Sequence, residues 1–153
     1  MAICRDSDAL AAAMNSDAAY AMASRDSQKN LTLEFSRRAR GVAIWAALAN
    51  LGRDGLRTMI DQHIRQPGHL ADALRNGGYQ VLNRVHLNQV LVRADSDEQT
   101  TAILKAAQDS GEVWFGATIW QGRPAFRLSV SSWRTTDADI EVLIALLLRL
   151  KNA

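Results

Sequence analysis

The sequence predicts an α+β fold in which long helices precede a ββαββα domain built on an antiparallel sheet. Two observations carry this. From Ser36 to Arg75 the chain reads as helix, first an almost uncharged body (Gly41 to Leu51) and then an apolar stripe at helical spacing. From Tyr79 onward, short runs of strand composition come in pairs, each pair followed by a helical window with its own start signal. Such an order gives a sheet with helices on one face, an architecture that says little about function by itself.

The elements follow in order. Ala2-Ile3-Cys4 reads as the end of a strand whose sheet lies elsewhere, and Asp8 to Met14 as a short helix. Asn15 to Leu33 is a polar loop interrupted by Tyr20 and Met22, and a loop of that length in a compact domain is usually functional or mobile. Ser36 is a suitable N-cap for the next helix, although Arg37, Arg38 and Arg40 put positive charge at the positive end of the helix dipole. The body of that helix has no solvated stripe, a pattern expected of a helix buried on every side. Both ends therefore ask for a partner: an anion for the arginines, an apolar surface for the body.

Gly52 supplies a stop, and Asp54 caps a second helix carrying Leu56, Met59, Ile60, Ile64, Leu70 and Leu74. Pro67-Gly68 predicts a kink or a split, because proline removes one backbone bond and crowds the carbonyl four residues back. Asn76-Gly77-Gly78 closes the helical part. Tyr79 to Val85 and Asn88 to Arg93 read as strands joined at His86-Leu87; Asp95-Ser96-Asp97 starts a helix to about Gln108, with Ala102, Ile103, Ala106 and Ala107 inward, and Gly111 ends it. Val113 to Trp120 and Arg123 to Ser131 form a hairpin around Gln121-Gly122. Thr136-Asp137-Ala138-Asp139 resembles a capping box before a closing helix, Ile140 to Leu150.

Composition narrows the function classes. At 153 residues, 48% hydrophobic and 22% charged, the chain suits one globular core. Its 18 basic residues include only three lysines, Lys29, Lys105 and Lys151, which favours fixed bidentate contacts with carboxylate or phosphate over a diffuse cationic surface. A net charge of +2 is too small to argue for nucleic acid. The lone Cys4 excludes an internal disulfide and is expected as a buried, inert thiol, and His63, His69 and His86 show no metal-ligand spacing. No leader pattern and no apolar run long enough to span a membrane is visible, so the expected location is the cytoplasm.

No nucleophile elbow, P-loop or dinucleotide fingerprint is present. Strand alternation places Arg127, Ser129 and Ser131 on one face and Phe126, Leu128 and Val130 on the other. A guanidinium projecting from a middle strand reaches a carboxylate with two parallel hydrogen bonds; the plainer reading is a surface arginine. Tyr20 carries a phenol suited to giving or taking a proton at a reacting carbon, against the plainer role of anchoring a loop. Trp45, Trp114, Trp120 and Trp133 read most simply as core or interface residues.

FSRRARGVAIWAALANLGRDGL, HLNQVLVR and GEVWFGATIWQGRPAFRLSVSSWRTTDADI stand in one order. Together with AICRD at the start, they resemble the C-terminal part of the group II pyridoxal-phosphate-dependent decarboxylases, the family of the aromatic amino acid and glutamate decarboxylases. The resemblance runs over nearly the whole chain. It implies a fold-type I, α/β-family enzyme, dimeric, in which pyridoxal 5'-phosphate forms a Schiff base with a lysine and draws off electrons as the substrate carboxylate leaves as carbon dioxide.

In that family the lysine lies shortly before the segment that AIC resembles, which puts it ahead of Met1; none of Lys29, Lys105 and Lys151 stands in a matching context. By the same resemblance, Tyr20 matches the tyrosine of the mobile catalytic loop that protonates the quinonoid carbon. Ser36 is similar to a small residue near the neighbouring subunit's active site, and Arg127 looks like the arginine that engages substrate carboxylate in part of the family. Pro67-Gly68 departs from the family's continuous helix.

The resemblance thus implies three parts: a remnant of the large domain with the catalytic loop (1–35), connecting helices (36–76) and the small α+β domain (77–153). The expected function is that of a C-terminal fragment of an amino acid carboxy-lyase, inactive alone, whose partner is the large domain or a second subunit. The rival from another class is a non-catalytic binding or dimerisation module that kept the fold. A nucleic-acid binder would need a basic sheet face with exposed aromatics and ranks well below both.

Overall fold

A computed structural model describes residues 4–14 and 38–152. The chain divides into two compact units, Met1–Asn50 and Leu51–Ala153.

In the first unit, α1 spans Ser7–Met14, close to its expected range. Asp6 caps it, its carboxylate accepting from the Asp8 and Ala9 amides at 3.0 Å each. Cys4 departs from expectation: it is exposed, its thiol donating to the Asp6 carbonyl at 3.2 Å. Ala2 and Ile3, the other members of the expected strand, lie outside the described residues. The helix α2, Arg40–Asn76, starts later than Ser36 predicts, with Arg38 and Ala39 outside it. A helix end that is already positive gains nothing from taking in more arginines. Its apolar body is not buried: Val42, Ile44, Trp45 and Leu48 are all exposed.

Gly52 does interrupt α2, with φ 62° and ψ −171°, a conformation essentially reserved for glycine. The helix resumes at once, so Asp54 sits within the run and caps nothing. Pro67 overturns the expected kink, since Gly52 is the only non-helical residue in the run. Proline inside a helix costs about 3 kcal/mol, but Leu70 and Leu74, one and two turns on, are completely buried, each worth about 1.5–3 kcal/mol. Packing outweighs the lost bond, and Gln66 and Pro67 are themselves buried. At the far end Gly78, φ 81°, closes a Schellman turn: the Tyr79 amide donates to Leu74 over 2.9 Å and the Gly78 amide to Arg75 over 3.0 Å.

Four strands follow, β1 (Gln80–Val81), β2 (Gln89–Arg93), β3 (Gly116–Trp120) and β4 (Arg123–Ser129), in the spatial order β1-β2-β4-β3, all antiparallel. Between them lie α3 (Asp97–Ser110) and, last, α4 (Asp137–Lys151). This is the ββαββα order read from the sequence.

The first strand is much shorter than Tyr79 to Val85. Past Leu82, the side chain of Asn83 takes over the pairing: its carbonyl oxygen accepts from the Leu91 amide at 2.8 Å and its amide donates to the Gln89 carbonyl at 3.0 Å. A side-chain amide thereby ends the backbone ladder. The third strand starts three residues late, and its hairpin turns on Gln121 (φ 48°) and Gly122 (φ 78°), the two positive values a type I′ turn requires.

Both later helices are capped as the sequence specifies. Ser96 accepts from the Gln99 amide and Gly111, φ 69°, ends α3; Thr136 and Asp139 form the full capping box of α4. The inner face of α3 is rotated from expectation: Thr100, Ile103 and Ala107 are buried while Ala102 is exposed. Thr100 is admitted because its hydroxyl donates to the Ser96 carbonyl at 2.7 Å and accepts from the Ala94 amide at 3.0 Å.

One core joins α2, α3 and α4 to a single sheet face. It comprises Leu70 and Leu74, Ile103 and Ala107, Ile140, Ile144 and Leu147, packed on Val90, Val92, Phe126 and Leu128. Phe126 sits at its centre with the rings of Phe115 and Tyr79 5.0 and 6.2 Å away.

Candidate functional site

With Val90, Val92, Phe126 and Leu128 facing the helices, the pleat sends Gln89, Leu91, Arg93, Ala125, Arg127 and Ser129 to the opposite face. That face carries Arg127. The residue lies on β4, between β2 and β3, directly across from Leu91 on one side and Gly116 on the other. Its backbone bonds run to Gly116, and its neighbours along the strand bond to β2.

Arg127 is exposed, and no carboxylate among the described residues pairs with it. The position of a side chain on Gly116 would be open space, so nothing crowds the guanidinium on that side. Leu91 and Ala125 are buried and make an apolar floor beside it, while Gln89 and Ser129, paired across the strands, add polar groups. The arrangement can accept a planar anion such as a carboxylate. Tyr20 and Ser36, the other site residues read from the sequence, lie outside the described residues, as does Lys29.

The same face holds an ion cluster that sequence reasoning missed. Arg93 is only 4% exposed and donates to Asp97 at 2.7 Å, while the exposed Arg123 donates to the same carboxylate oxygen at 3.2 Å. Asp97 stands in the first turn of α3 beside Glu98, whose carboxyl is held below the ordinary 4.5 by its own backbone N–H and the Ser96 hydroxyl. Of the three arginines on this face, Arg127 is thus the one without a counter-ion among the described residues.

A second polar cluster fastens α2 to the turn before α4. Gln62 and Gln66 both donate to the Thr135 carbonyl, at 2.5 and 3.1 Å, and the His63 ring meets the Ser132 carbonyl at 3.2 Å. Asp137 accepts from Arg65 at 3.0 Å and from Gln66 at 2.9 Å. These two donors hold the Asp137 carboxyl below its ordinary 3.8, and Asp137 in turn raises the Arg65 guanidinium. His69 and Glu141 pair one turn further on, 2.7 Å apart. All of these contacts are structural.

No family model matches the sequence, and no curated protein matches it either. Solved structures do match. The chain superposes on Oryza sativa TDC, solved with PLP and tryptamine, with a TM-score of 0.86 at 17% identity, over 97% of this chain and 34% of that one. It has the fold of the C-terminal part of the group II pyridoxal-phosphate decarboxylases. Catharanthus roseus tryptophan decarboxylase, in complex with L-tryptophan, shares the decarboxylase fold at TM-score 0.76 and 20% identity, over 82% of this chain and 29% of that one. The glutamate decarboxylase domain of diaminobutyrate-pyruvate transaminase and L-2,4-diaminobutyrate decarboxylase from Vibrio parahaemolyticus is 28% identical, with TM-score 0.60, over 71% of this chain and 25% of that one. The chain therefore spans about a third or less of the length of these decarboxylases.

Of the three lysines two are described, and both are already in ion pairs. Lys105 is exposed on α3 and pairs with Asp109. Lys151 is committed to the Gly78 carbonyl and to Asp95, its ammonium 5.0 Å from the Tyr79 ring centre. Neither ammonium lies on the face that carries Arg127. Among the described residues no group of His, Cys, Asp and Glu could hold a metal ion, and no helix is long and apolar enough to cross a membrane.

Proposed function

We propose that this chain is the C-terminal portion of a pyridoxal-phosphate-dependent amino acid decarboxylase, a carboxy-lyase that works in the cytoplasm as a homodimer when complete. The observation that carries this reading is the superposition on Oryza sativa TDC over 97% of the chain. In this reading residues 1–35 belong with the large domain, 36–76 connect, and 77–153 form the small domain. Arg127 holds the substrate carboxylate from the open sheet face, Tyr20 gives a proton to the substrate carbon, and Ser36 lies at the edge of the substrate site. The substrate is an amino acid; the cofactor is held by the large domain, the partner of this chain.

The exposed residues Val42, Ile44, Trp45 and Leu48 support the existence of such a partner, because an apolar stripe of that size is normally covered. On this reading the 153-residue chain by itself neither binds pyridoxal phosphate covalently nor releases carbon dioxide. Borohydride reduction followed by mass spectrometry tests the first point and carbon dioxide release from a panel of amino acids the second. A reduced adduct on Lys29, Lys105 or Lys151, with turnover, would overturn the reading. Joining the chain to the coding segment that precedes it in the genomic DNA is expected to give activity that Tyr20→Phe abolishes.

A non-catalytic binding or dimerisation module built on the same fold is the second reading. What favours it is the self-contained core running from Leu70 to Leu147. Transcription from a promoter of its own directly ahead of Met1 would support the module, and a lysine-bearing frame continuous with Met1 would support the enzyme.

A further inference from the structure

The open edge of β3 is uncharged for its whole length. From Val113 to Gln121-Gly122 there is no charged residue, with Glu112 before the run and Arg123 after it. Among the described residues no strand pairs with the edge of β3 away from β4. Trp114, Ile119 and Trp120 along it are 81%, 67% and 43% exposed. Natural sheets guard such an edge with lysine, proline, a bulge or a covering element, since it otherwise recruits another strand. Among the described residues the one guard is at the start, where Gln108 occupies the Phe115 carbonyl at 2.9 Å.

The register of the hairpin says which groups are free. Trp120 and Arg123 flank the two-residue turn, so their pair is hydrogen-bonded and bonding then alternates along the ladder. Ile119 faces Pro124, which has no N–H to give. The amides and carbonyls of Ala117 and Ile119 therefore point away from β4, into the open edge.

We propose that this edge pairs with the same edge of a second copy of the chain, β3 against β3, antiparallel about a two-fold axis through Thr118. Two features select this occupant and register. Ala117 of each copy lies opposite Ile119 of the other, so both free pairs of backbone groups are used, which a two-fold isologous contact requires. Gly116 lies opposite Trp120 of the second copy, and the open space at its missing side chain receives the indole, an aromatic covering a cross-strand glycine. The pairing joins two four-stranded sheets into one of eight. It does not depend on the decarboxylase reading.

Sedimentation equilibrium of the 153-residue chain tests the pairing. The expected result is a reversible dimer that Ile119→Lys weakens by about tenfold or more, while circular dichroism, and the urea midpoint taken at concentrations where both chains are monomeric, stay unchanged, because the Ile119 side chain is 67% exposed in the single chain. Trp45→Glu is expected to leave the dimer intact. Thr118→Cys in a Cys4→Ser background is expected to give a disulfide-linked dimer under mild oxidation, since Thr118 faces its own copy in a non-hydrogen-bonded pair, and Ile119→Cys is expected to give none. A chain monomeric at high micromolar concentration would overturn the proposal, as would a dimer that survives Ile119→Lys or one that Trp45→Glu alone dissociates. Cross-linking at residue 119 in preference to 118 would overturn the register.

Discussion

The phenol of Tyr79 donates to the carbonyl of Leu147 at 2.7 Å, tying the exit from α2 to the last turns of α4 across 68 residues of sequence. The bond is buried, so its loss is not repaid by water. Tyr79→Phe is expected to lower stability by about 1 kcal/mol, read as a shifted urea midpoint at constant slope. Burial, helped by the negative charge of Asp95, raises the phenol above its ordinary 10.0. The native state thus holds this proton more tightly than the unfolded chain does. Its contribution is fully present below pH 10.0 and is lost as pH climbs towards the raised native value. The alkaline limb of the stability profile should flatten in Tyr79→Phe.

Asn83 stands in for a strand residue, and that role is separable. Asn83→Ala removes the donor to Gln89 and the acceptor for Leu91 together, for an expected loss of about 1–2 kcal/mol. Asn83→Asp keeps only the acceptor and should fall between the two. Hydrogen exchange reports the effect locally: the Leu91 amide should lose protection in Asn83→Ala and keep it in Asn83→Asp.

Asp97 serves two arginines of very different burial. Asp97→Ala leaves the Arg93 guanidinium buried without its counter-ion, at an expected cost of roughly 3 kcal/mol. Arg123→Ala removes an exposed donor and should cost under about 1 kcal/mol. Chemical denaturation of the two variants checks the ratio, and equal losses would contradict the burial difference.

Asp137 should contribute to acid sensitivity. Hydrogen bonds from Arg65 and Gln66 depress its carboxyl below the ordinary 3.8, so its contribution is present above pH 3.8 and lost as pH falls through the lowered native value. In Asp137→Asn the melting temperature should fall less steeply between about pH 4 and pH 2 than in the parent chain. Gln66 offers a companion test, because its side-chain oxygen is buried without a partner while its nitrogen is fully used. Thr135 and Asp137 keep Gln62 and Arg65 when Gln66 is lost. Gln66→Met should therefore cost under about 1 kcal/mol, whereas Gln66→Ala adds a cavity and should cost about 2 kcal/mol.

What the sequence made legible was whatever depends on neighbours along the chain. Thr136 and Asp139 cap each other three residues apart, Ser96 and Gly111 bracket α3, and Gln121-Gly122 turns the hairpin; each is settled within one turn of backbone. The alternation around Arg127 was readable for the same reason. What it concealed depends on residues far away. Pro67 continues the helix because Leu70 and Leu74 are buried by strands that come later. Asn83 shortens β1 only because Gln89 and Leu91 lie opposite. Thr100 turns inward on account of the Ala94 amide, and Asp97 gains its second arginine from 26 residues further on. The openness around Arg127 likewise follows from Gly116 being its cross-strand neighbour, which no local pattern announces.

The backbone at Gly52 marks a point of severability. Every residue of the shared core lies between Leu70 and Leu147, so nothing described ahead of Gly52 supplies a single core side chain. A chain begun at Leu51 keeps every described core residue while shedding Val42, Ile44, Trp45 and Leu48. Among the described residues the whole shared core thus lies on one side of a single glycine, so a polypeptide cleaved there would keep the part that specifies the fold.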